Sequence, residues 1–395
     1  MNLINTVNKN YKDKCTIYKI KFIYIFYYRF IILYNMTIIQ TLLTKIIENM
    51  PLEGVKGTIM ASPSNDPPYR FHWIRDSALV MRVIIHYYKQ TNDPQYFQFI
   101  INYLELEYKI QHLHTLAGLG EPKINIDATP FNKPWGRPQN DGPALRIIVL
   151  WSIIDIFKGS YDYIIKQLVL PIIKKDLYYI LSNYNKPSFD LWEEKLGWHF
   201  YTRMVQLYAI QLSIKNYCFI SSFFIEKIVK DTYNELLFNL QDHKNGTTII
   251  SSFDTAGNIS KYDDAANILA FCHIDFNKTI LESFPLHYVQ HNVDKLLTYF
   301  RHKYNKHTIH LIGRYQNDTY YDGQIWIICS LGLAQYYTQI GKKSLSTEIL
   351  DTIILLDEDL ILPEQFDPNT NIYYSAKQLT WNYSELYMSL HAIKS

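Results

Sequence analysis

Cysteine is scarce in this chain of 395 residues, with four copies that lie far apart. There is no CxxC pair, no Cys/His spacing suited to zinc, and no HExxH pattern among the 13 histidines. These absences argue against a disulfide framework and a metal site. A glycine-rich phosphate loop and a nucleophile–base pair of the Ser/His or Cys/His kind are also missing. We therefore expect no cofactor.

Charge of one sign is likewise not in excess, because 39 Lys and Arg are balanced by 37 Asp and Glu. No basic cluster interleaved with aromatics occurs in the body of the chain, so nucleic acid is not expected as a partner. A neutral or small polar substrate fits this balance better. Hydrophobic residues make up 48% of the sequence, which is enough for a sizeable core.

The N-terminus carries one apolar and aromatic run, residues 17–34, which contains three basic residues and is not followed by a small-residue cleavage site. The run has roughly the length of a membrane span. Two interpretations stay open: a signal anchor, or upstream sequence before a true start at Met36. Localisation, either intracellular or secreted and membrane-anchored, is open for the same reason, and the Asn-X-Ser/Thr sequons at Asn245, Asn258, Asn277, Asn317 and Asn382 do not decide it. The predicted organisation is an extension at 1–35 and one domain at 36–395.

After residue 36, the apolar periodicity predicts helices and almost never strands. Twelve segments have this pattern. They lie at 36–49, 75–90, 94–115, 140–158, 162–184, 198–214, 219–240, 263–272, 290–303, 321–340, 343–357 and 379–393.

Glycine, proline, tryptophan and acidic residues gather immediately before every second helix, whereas the other connections are mostly short. This alternation predicts a helical hairpin repeated six times, with the chemically rich loops at one end. The expected fold class is all-α, an (α/α)6 barrel (six-hairpin toroid) of about twelve helices. The alternative is an irregular all-α protein whose loops simply accumulate turn residues.

The rich loops would line a bowl with aromatic rings, arginines and carboxylates. Aromatic faces stack on the apolar faces of pyranose rings, while Arg and Asp bind vicinal hydroxyls, so this composition is typical of a sugar site. The aromatic and cationic members are Tyr69, Trp73, Trp135, Trp192, Tyr320, Trp326, Trp381, Arg75 and Arg314.

Several of these residues also have purely structural interpretations. Asp190 precedes Glu193 by three residues, as in a capping box at a helix start. Asp127 and Asp141 suit caps or turns as well as sugar ligands. Two further pairs also have structural interpretations. Asp263 and Asp264 suit an N-terminal cap, and Trp73 and Trp381 suit core anchors.

Five motifs then occur in a fixed order from about residue 36 to the end. They are GTIMASPSNDPPYRFHWIRDSALV, GLGEPKINIDATPFNKPWGRPQNDGPALR, FDLWEE, GRYQNDTYY, and PEQFD followed by SAKQLTWNY. In these motifs the chain closely resembles the catalytic domain of fungal and bacterial glucoamylases, glycoside hydrolase family 15.

The resemblance implies roles for individual residues. Glu193 would be the general acid that protonates the glycosidic oxygen, and Glu364 the general base that activates water. Ser375 would hydrogen-bond that base. The remaining matches are to substrate-binding positions. Arg75 and Asp76 would hold the terminal glucose, Tyr69 and Trp73 would belong to the same wall, Trp135 and Trp192 would line the cleft, and Glu194 and Arg314 would contact the next sugar.

This division of roles agrees with general chemistry. Burial beside Trp192 and the charge of Glu194 would both raise the pKa of an acid at Glu193. Carboxyl groups roughly 6.5 to 9.5 Å apart leave room for a water and give inversion at the anomeric centre. The expected reaction is exo-acting, inverting hydrolysis of terminal α-1,4-linked glucose from starch-like glucans or maltooligosaccharides.

Some positions depart from the family pattern. Gln316, Asn317 and Gln378 replace typical residues, and KLGWHF after the acid motif is bulkier than usual. These departures bear on chain-length and linkage preference. Two alternatives therefore stay open: a related hydrolase of isomaltose-type oligosaccharides or trehalose, and a non-catalytic glucan-binding protein. No starch-binding module is expected, and the oligomeric state is open, with a monomer compatible.

Overall fold

The computed structural model describes residues 37–50, 55–216, 223–274, 282 and 284–394. Two units are distinguished along the chain, with a boundary after Thr44, and the larger unit begins at Lys45. The apolar run at 17–34 lies outside the described residues. Within the described part, no helix combines the length and apolarity that crossing a membrane would require.

All twelve predicted helices are present among the described residues. The fifth contains a π-helical turn. We number them α1 to α12. They are α1 at 37–48, α2 Ile74–Thr91, α3 Pro94–Ile110, α4 Asp141–Phe157, α5 Leu170–Asn183 with Asp162–Ile164 and the π-helical turn Ile165–Val169 before it, α6 Phe200–Lys215, α7 Phe223–Gln241, α8 Ala265–Cys272, α9 Leu286–Tyr304, α10 Ile327–Gln339, α11 Lys343–Ile354 and α12 Thr380–Ala392.

The six even-numbered helices of the larger unit form a closed ring. Each packs on the next even-numbered helix, and α12 returns to pack on α2. Helices α3, α5, α7, α9 and α11 each pack on the outside of the even-numbered helix that precedes them. The predicted (α/α)6 barrel is therefore confirmed.

Burial patterns explain which helices lie inside. In the inner helix α10, every residue from Ile327 to Tyr337 is buried, as expected for a helix surrounded by neighbours. In the outer helix α11, burial follows a 3.6-residue period on one face. Its buried residues are Ser346, Ile349, Leu350, Ile353 and Ile354.

Short strands connect the helices at the loop-rich end, although the sequence contains almost no indication of strands. The described part has eleven, each two to four residues long. They are β1 Phe71–Trp73, β2 Lys123–Asn125, β3 Ser188–Phe189, β4 Leu196–His199, β5 Lys244–Asn245, β6 Thr248–Ile249, β7 Ser252–Asp254, β8 Ile259–Lys261, β9 Ile325–Trp326, β10 Gln365–Phe366 and β11 Tyr373–Tyr374.

These strands position the start of three inner helices. Strand β1 leads directly into α2, β4 into α6, and β9 into α10. They pair antiparallel within small sheets in the orders β1-β2, β3-β4-β7-β8 and β9-β10-β11, with β5-β6 as a separate pair. Strands this short carry too few alternating residues to give a period-2 signal, so they escape sequence analysis.

Some helix boundaries differ from the prediction. Helix α10 begins at Ile327 rather than at 321, because Tyr321 and Asp322 have φ values of +48° and +62°, outside the helical region. Helix α3 ends at Ile110 rather than at 115.

Candidate active site

A pocket lies at the N-terminal ends of the inner helices, where the rich loops meet. Its lining brings together eight of the predicted site residues. It also contains Trp326, which the sequence placed among the aromatic residues of the bowl. The lining residues are Tyr69, Trp73, Arg75, Asp76, Leu191, Trp192, Glu193, Trp326, Ile328, Glu364, Leu379 and Trp381. Three other predicted residues, Trp135, Tyr320 and Ser375, hydrogen-bond to this lining. Arg314 packs over the rings of Trp192 and Trp326, and Glu194 contacts Arg314.

Glu193 lies in the turn between β3 and β4, not in the first turn of a helix. Its backbone N–H donates to the carbonyl of Asp190 at 2.9 Å, and its φ is +66°. The Asp190 carboxylate accepts from the backbone N–H groups of Glu194 and Lys195 at 2.8 and 3.1 Å. The capping-box interpretation is therefore wrong: Asp190 stabilises a tight turn that precedes α6 by several residues.

Four side-chain N–H donors surround the Glu193 carboxylate, which is 16% exposed. Trp73 Nε1 and Gln139 Nε2 lie 2.7 and 2.9 Å from Oε1, and Arg75 Nη2 lies 3.5 Å from the same oxygen. Trp135 Nε1 donates to Oε2 at 2.8 Å. Both carboxylate oxygens are thus held in one orientation.

Trp192, expected beside Glu193, makes its hydrogen bond elsewhere. Its Nε1 donates to Asp264 at 2.9 Å, and its ring lies 5.5 Å from that of Trp326. The guanidinium of Arg314 packs 4.7 Å from the centre of the Trp326 ring. Trp192 therefore forms part of the pocket wall together with Trp326.

Glu364 is only 3% exposed and lies directly before β10. Its Oε1 accepts from the hydroxyl of Tyr69 at 3.0 Å, and its Oε2 accepts from the hydroxyl of Ser375. Burial raises the pKa of Glu364 to about 7, although both hydroxyl donors and the charge of Arg314 favour the ionised form. The Tyr320 hydroxyl lies 3.1 Å from that of Ser375 and completes this group.

Arg75 and Asp76 lie in the first turn of α2 and face the same pocket. Arg75 Nη1 donates to Gln139 Oε1 at 2.9 Å and to Asp141 Oδ2 at 3.0 Å. Its Nε lies 3.6 Å from Asp76 Oδ2. Burial raises the pKa of Asp76 to about 6 against the opposing charge of Arg75. Gln139, which donates to Glu193 and accepts from Arg75, is a site residue that sequence reasoning missed.

A second charged group lies beside the pocket around Glu194. Arg314 Nη2 is 2.7 Å from Glu194 Oε1, and the hydroxyl of Tyr315 donates to Oε2 at 2.5 Å. Arg314 also makes a bidentate pair with Asp318 at 2.7 and 2.5 Å. Lys261 Nζ lies 3.4 Å from Glu194. Of this group, the sequence indicated only Glu194 and Arg314.

Three aspartates that the sequence left open between structural and sugar-binding or catalytic roles have different surroundings. Asp127 accepts from the backbone N–H and the hydroxyl of Thr129 in an exposed turn, so it is a turn residue. Asp264 caps α8 by accepting from the backbone N–H of Ala266 at 2.8 Å, as expected. Asp141 starts α4 without capping it and pairs instead with Arg75.

Trp73 and Trp381 are both buried, at 4% exposure, and both also line the pocket. Their indole N–H groups differ in partner. Trp73 donates to Glu193, whereas Trp381 donates to Glu385 at 2.8 Å, within the same helix α12. Trp73 thus contacts Glu193 directly, while Trp381 is anchored by Glu385.

The positions that depart from the family pattern lie at the edge of this region. Asn317 has a φ of +61° in the exposed loop after Arg314. KLGWHF contains β4, whose Leu196 is exposed. Among the described residues, no group of three or more His, Cys, Asp or Glu side chains is arranged to hold a metal ion.

Comparisons with known proteins agree with this geometry. The chain is 37% identical over 212 residues to glucoamylase S1 of Saccharomyces cerevisiae, covering 48% of this chain and 27% of that protein. It is 31% identical over 332 residues to glucoamylase-1 of Schizophyllum commune, covering 80% of this chain and 56% of that protein. The chain thus spans between about a quarter and about half the length of these two curated relatives.

The fold is shared with solved glucoamylases. The structure of the glucoamylase from Saccharomycopsis fibuligera superposes with a TM-score of 0.81 at 21% identity, covering 91% of this chain and 94% of that one. The family model for glycosyl hydrolases family 15 matches residues 40–356, which is most of the chain. On these grounds, the chain belongs to glycosyl hydrolases family 15.

Proposed function

We propose that this protein is an exo-acting glucosidase that releases terminal α-1,4-linked glucose from starch- or glycogen-type glucans with inversion, giving β-glucose. One observation carries the proposal: two carboxylates in one pocket have opposite surroundings. Glu193 is held by nitrogen donors, whereas Glu364 is buried and held by two hydroxyls. Two carboxyl groups in such different environments can take different roles in one reaction.

In the proposed reaction, Glu193 gives its proton to the glycosidic oxygen as the bond from that oxygen to C1 breaks. A water molecule forms the new bond to C1 from the opposite face and gives its proton to Glu364. Ser375 and Tyr69 would orient the Glu364 carboxylate toward that water. The reaction needs no further reactant, because the proton lost from water balances the proton given to the leaving sugar.

Selectivity for a chain end follows from the same pocket. Arg75 and Asp76 offer a donor and an acceptor to vicinal hydroxyls that only a terminal sugar leaves free. Glu194 and Arg314, fixed to each other at 2.7 Å, would bind the next sugar.

The test is proton NMR of the purified protein with maltose and short maltodextrins, following the anomeric signals of glucose during the first minutes. Prompt β-glucose, before mutarotation, is the expected result. Prompt α-glucose would refute inversion. Release of glucose only from isomaltose or trehalose would replace the linkage assignment. Maltose binding without any hydrolysis would favour the non-catalytic glucan-binding alternative.

A further inference from the structure

Lys123 is a buried lysine surrounded by aromatic rings. It is 1% exposed, begins β2, and lies opposite Trp73 of β1 in the antiparallel register. Among the described residues, no carboxylate comes within 4.0 Å of its Nζ. Its neighbours are instead four ring faces. The distances from Nζ to the ring centres are 3.1 Å for Trp135, 4.2 Å for Trp73, 4.5 Å for Phe71 and 4.6 Å for Phe131.

Two of these rings are the indoles that hold Glu193. Trp73 donates to Oε1 and Trp135 to Oε2, at 2.7 and 2.8 Å, and their ring centres are 6.3 Å apart. Lys123 thus contacts both indoles on their faces while their N–H edges point to one carboxylate. A cation on the face of an indole is attracted by the ring quadrupole. It also polarises the ring, which strengthens the N–H as a donor.

We infer that Lys123 is a positioning residue for Glu193: its ammonium group fixes the two indoles that orient the carboxylate, and its charge acts on that carboxylate through them. This inference rests on the proposed role of Glu193 as the general acid. An alternative is that Lys123 only fills space between the rings. A methionine of similar length would fill the same space without the charge, so the two explanations are separable.

The charges around Lys123 define the pH range in which it is a cation. Burial together with the charge of Arg137 lowers the pKa of Lys123 to about 7, although Glu193, Asp76 and Glu121 act in the opposite direction. Lys123 is therefore mostly charged below pH 7. Because attraction between two charges is reciprocal, loss of this cation should make loss of a proton from the acid harder.

The decisive variant is Lys123→Met, assayed as kcat, KM and the pH profile of kcat/KM with maltose. Lys123→Arg retains the charge. The matched control is Lys244→Met, because Lys244 also lies over aromatic rings, 4.9 Å from Phe284, but outside the pocket. Thermal unfolding of each variant checks that it is folded.

For Lys123→Met we expect kcat to fall by about ten-fold, which is less than the roughly 10² to 10⁴-fold that general acid catalysis contributes, and KM to change less than about three-fold. The basic limb of the profile should move to higher pH. Lys244→Met should match the wild type. Partial recovery by Lys123→Arg would support a role for the charge.

Two results would overturn the inference. One is wild-type kcat and an unchanged profile in Lys123→Met. The other is a loss of kcat with the basic limb unmoved, which is the signature of a merely structural role. A wild-type protein that hydrolyses no α-glucoside would overturn the proposed function and this inference together, whereas an active wild type with an unaffected Lys123→Met overturns the inference alone.

Discussion

The phenol of Tyr69 lies against the indole of Trp73, with ring centres 5.4 Å apart, and each of these side chains donates to a different carboxylate. Tyr69 donates to Glu364 at 3.0 Å and Trp73 to Glu193 at 2.7 Å. Two packed rings therefore join the two carboxylates of the pocket. The proposed acid and base have their relative positions set by one short segment, which leads through β1 into α2.

A first prediction concerns Tyr69→Phe, which keeps the ring and removes one donor to Glu364. The hydrogen bond from Tyr69 favours the ionised carboxylate, so its loss should raise the pKa of Glu364 above about 7. A base works only when it is ionised. The acidic limb of kcat/KM should therefore move to higher pH, by about one unit if the lost bond contributes on the order of 1.5 kcal/mol.

The control for this variant is Tyr373→Phe. The hydroxyl of Tyr373 donates to the carbonyl of Leu356 at 2.7 Å, outside the pocket lining. Its profile should match that of the wild type. A Tyr69→Phe profile identical to the wild type would contradict the assigned contact between Tyr69 and the base.

A second prediction separates the two glutamates by leaving group. Glu193→Gln should lose about 10² to 10⁴ in kcat on maltose, because the departing sugar oxygen needs a proton. On α-glucosyl fluoride the same variant should stay close to the wild type, since fluoride leaves without protonation. Glu364→Gln should be inactive on both substrates but should still bind maltose.

The neighbouring carboxylate provides the comparison for this pair. Glu194→Gln removes a charge next to Glu193. The contacts that it weakens are those with Arg314 and Lys261, and the bond that is cleaved is not among its proposed contacts. We expect its main effect on KM. If Glu193→Gln were equally impaired on the fluoride and on maltose, Glu193 would not be the general acid.

The sequence predicted the ring of hairpins because helix periodicity is a local property. The spacing of Ile349, Leu350, Ile353 and Ile354 alone indicates one buried face on α11. The same locality explains the failure at Asp190. An aspartate that accepts nearby backbone N–H groups looks alike in a helix cap and in the turn between β3 and β4, and only strand pairing distinguishes them.

Site residues that depend on distant contacts were harder to predict. Gln139 bridges Arg75 and Glu193, which come from different loops, and an isolated glutamine has no spacing that indicates this. Lys123 is similar, since a lysine within a strand gives no sign that four rings enclose it. Glu193 and Glu364 were identified because the motifs around them resemble a known family.

A third prediction concerns stability away from the pocket. Arg146 is 2% exposed and makes a bidentate pair with Asp176, at 2.7 and 2.6 Å, and a further pair with Glu107 at 2.5 Å. Arg146→Met should lower the free energy of unfolding by about 3 to 5 kcal/mol, because it leaves two carboxylates buried without their cation. Urea unfolding would measure this loss.

The comparison for Arg146 is an exposed pair. Lys230, 54% exposed, pairs with Glu226 one helical turn away on α7, so Lys230→Met should change stability by less than about 0.5 kcal/mol. Similar losses in the two variants would show that the cluster around Arg146 contributes no more than a surface ion pair.

The last prediction is that Lys123→Met makes the protein more stable as it makes it less active. In the folded protein the pKa of Lys123 is about 7, below its ordinary value of 10.5. The folded state therefore binds fewer protons than the unfolded state between these two values, and stability rises with pH in that window. Below pH 7 the full cost of the buried charge is present. Its upper limit is about 5 kcal/mol from the pKa difference, and cation–π attraction to the rings reduces it.

Urea unfolding of Lys123→Met and the wild type at pH 6 and at pH 10 measures this cost. At pH 6 the variant should be more stable by about 1 to 3 kcal/mol, because methionine fills the same space without a charge. Near pH 10 the difference should shrink to about 1 kcal/mol or less, since the wild-type lysine is then neutral when folded and the pH is close to its ordinary pKa when unfolded. A variant less stable than the wild type at pH 6 would mean that attraction to the rings outweighs desolvation. A gain in stability together with a loss of kcat would instead mean that the charge is kept at a cost to the fold, which is expected of a group that serves the reaction rather than the core.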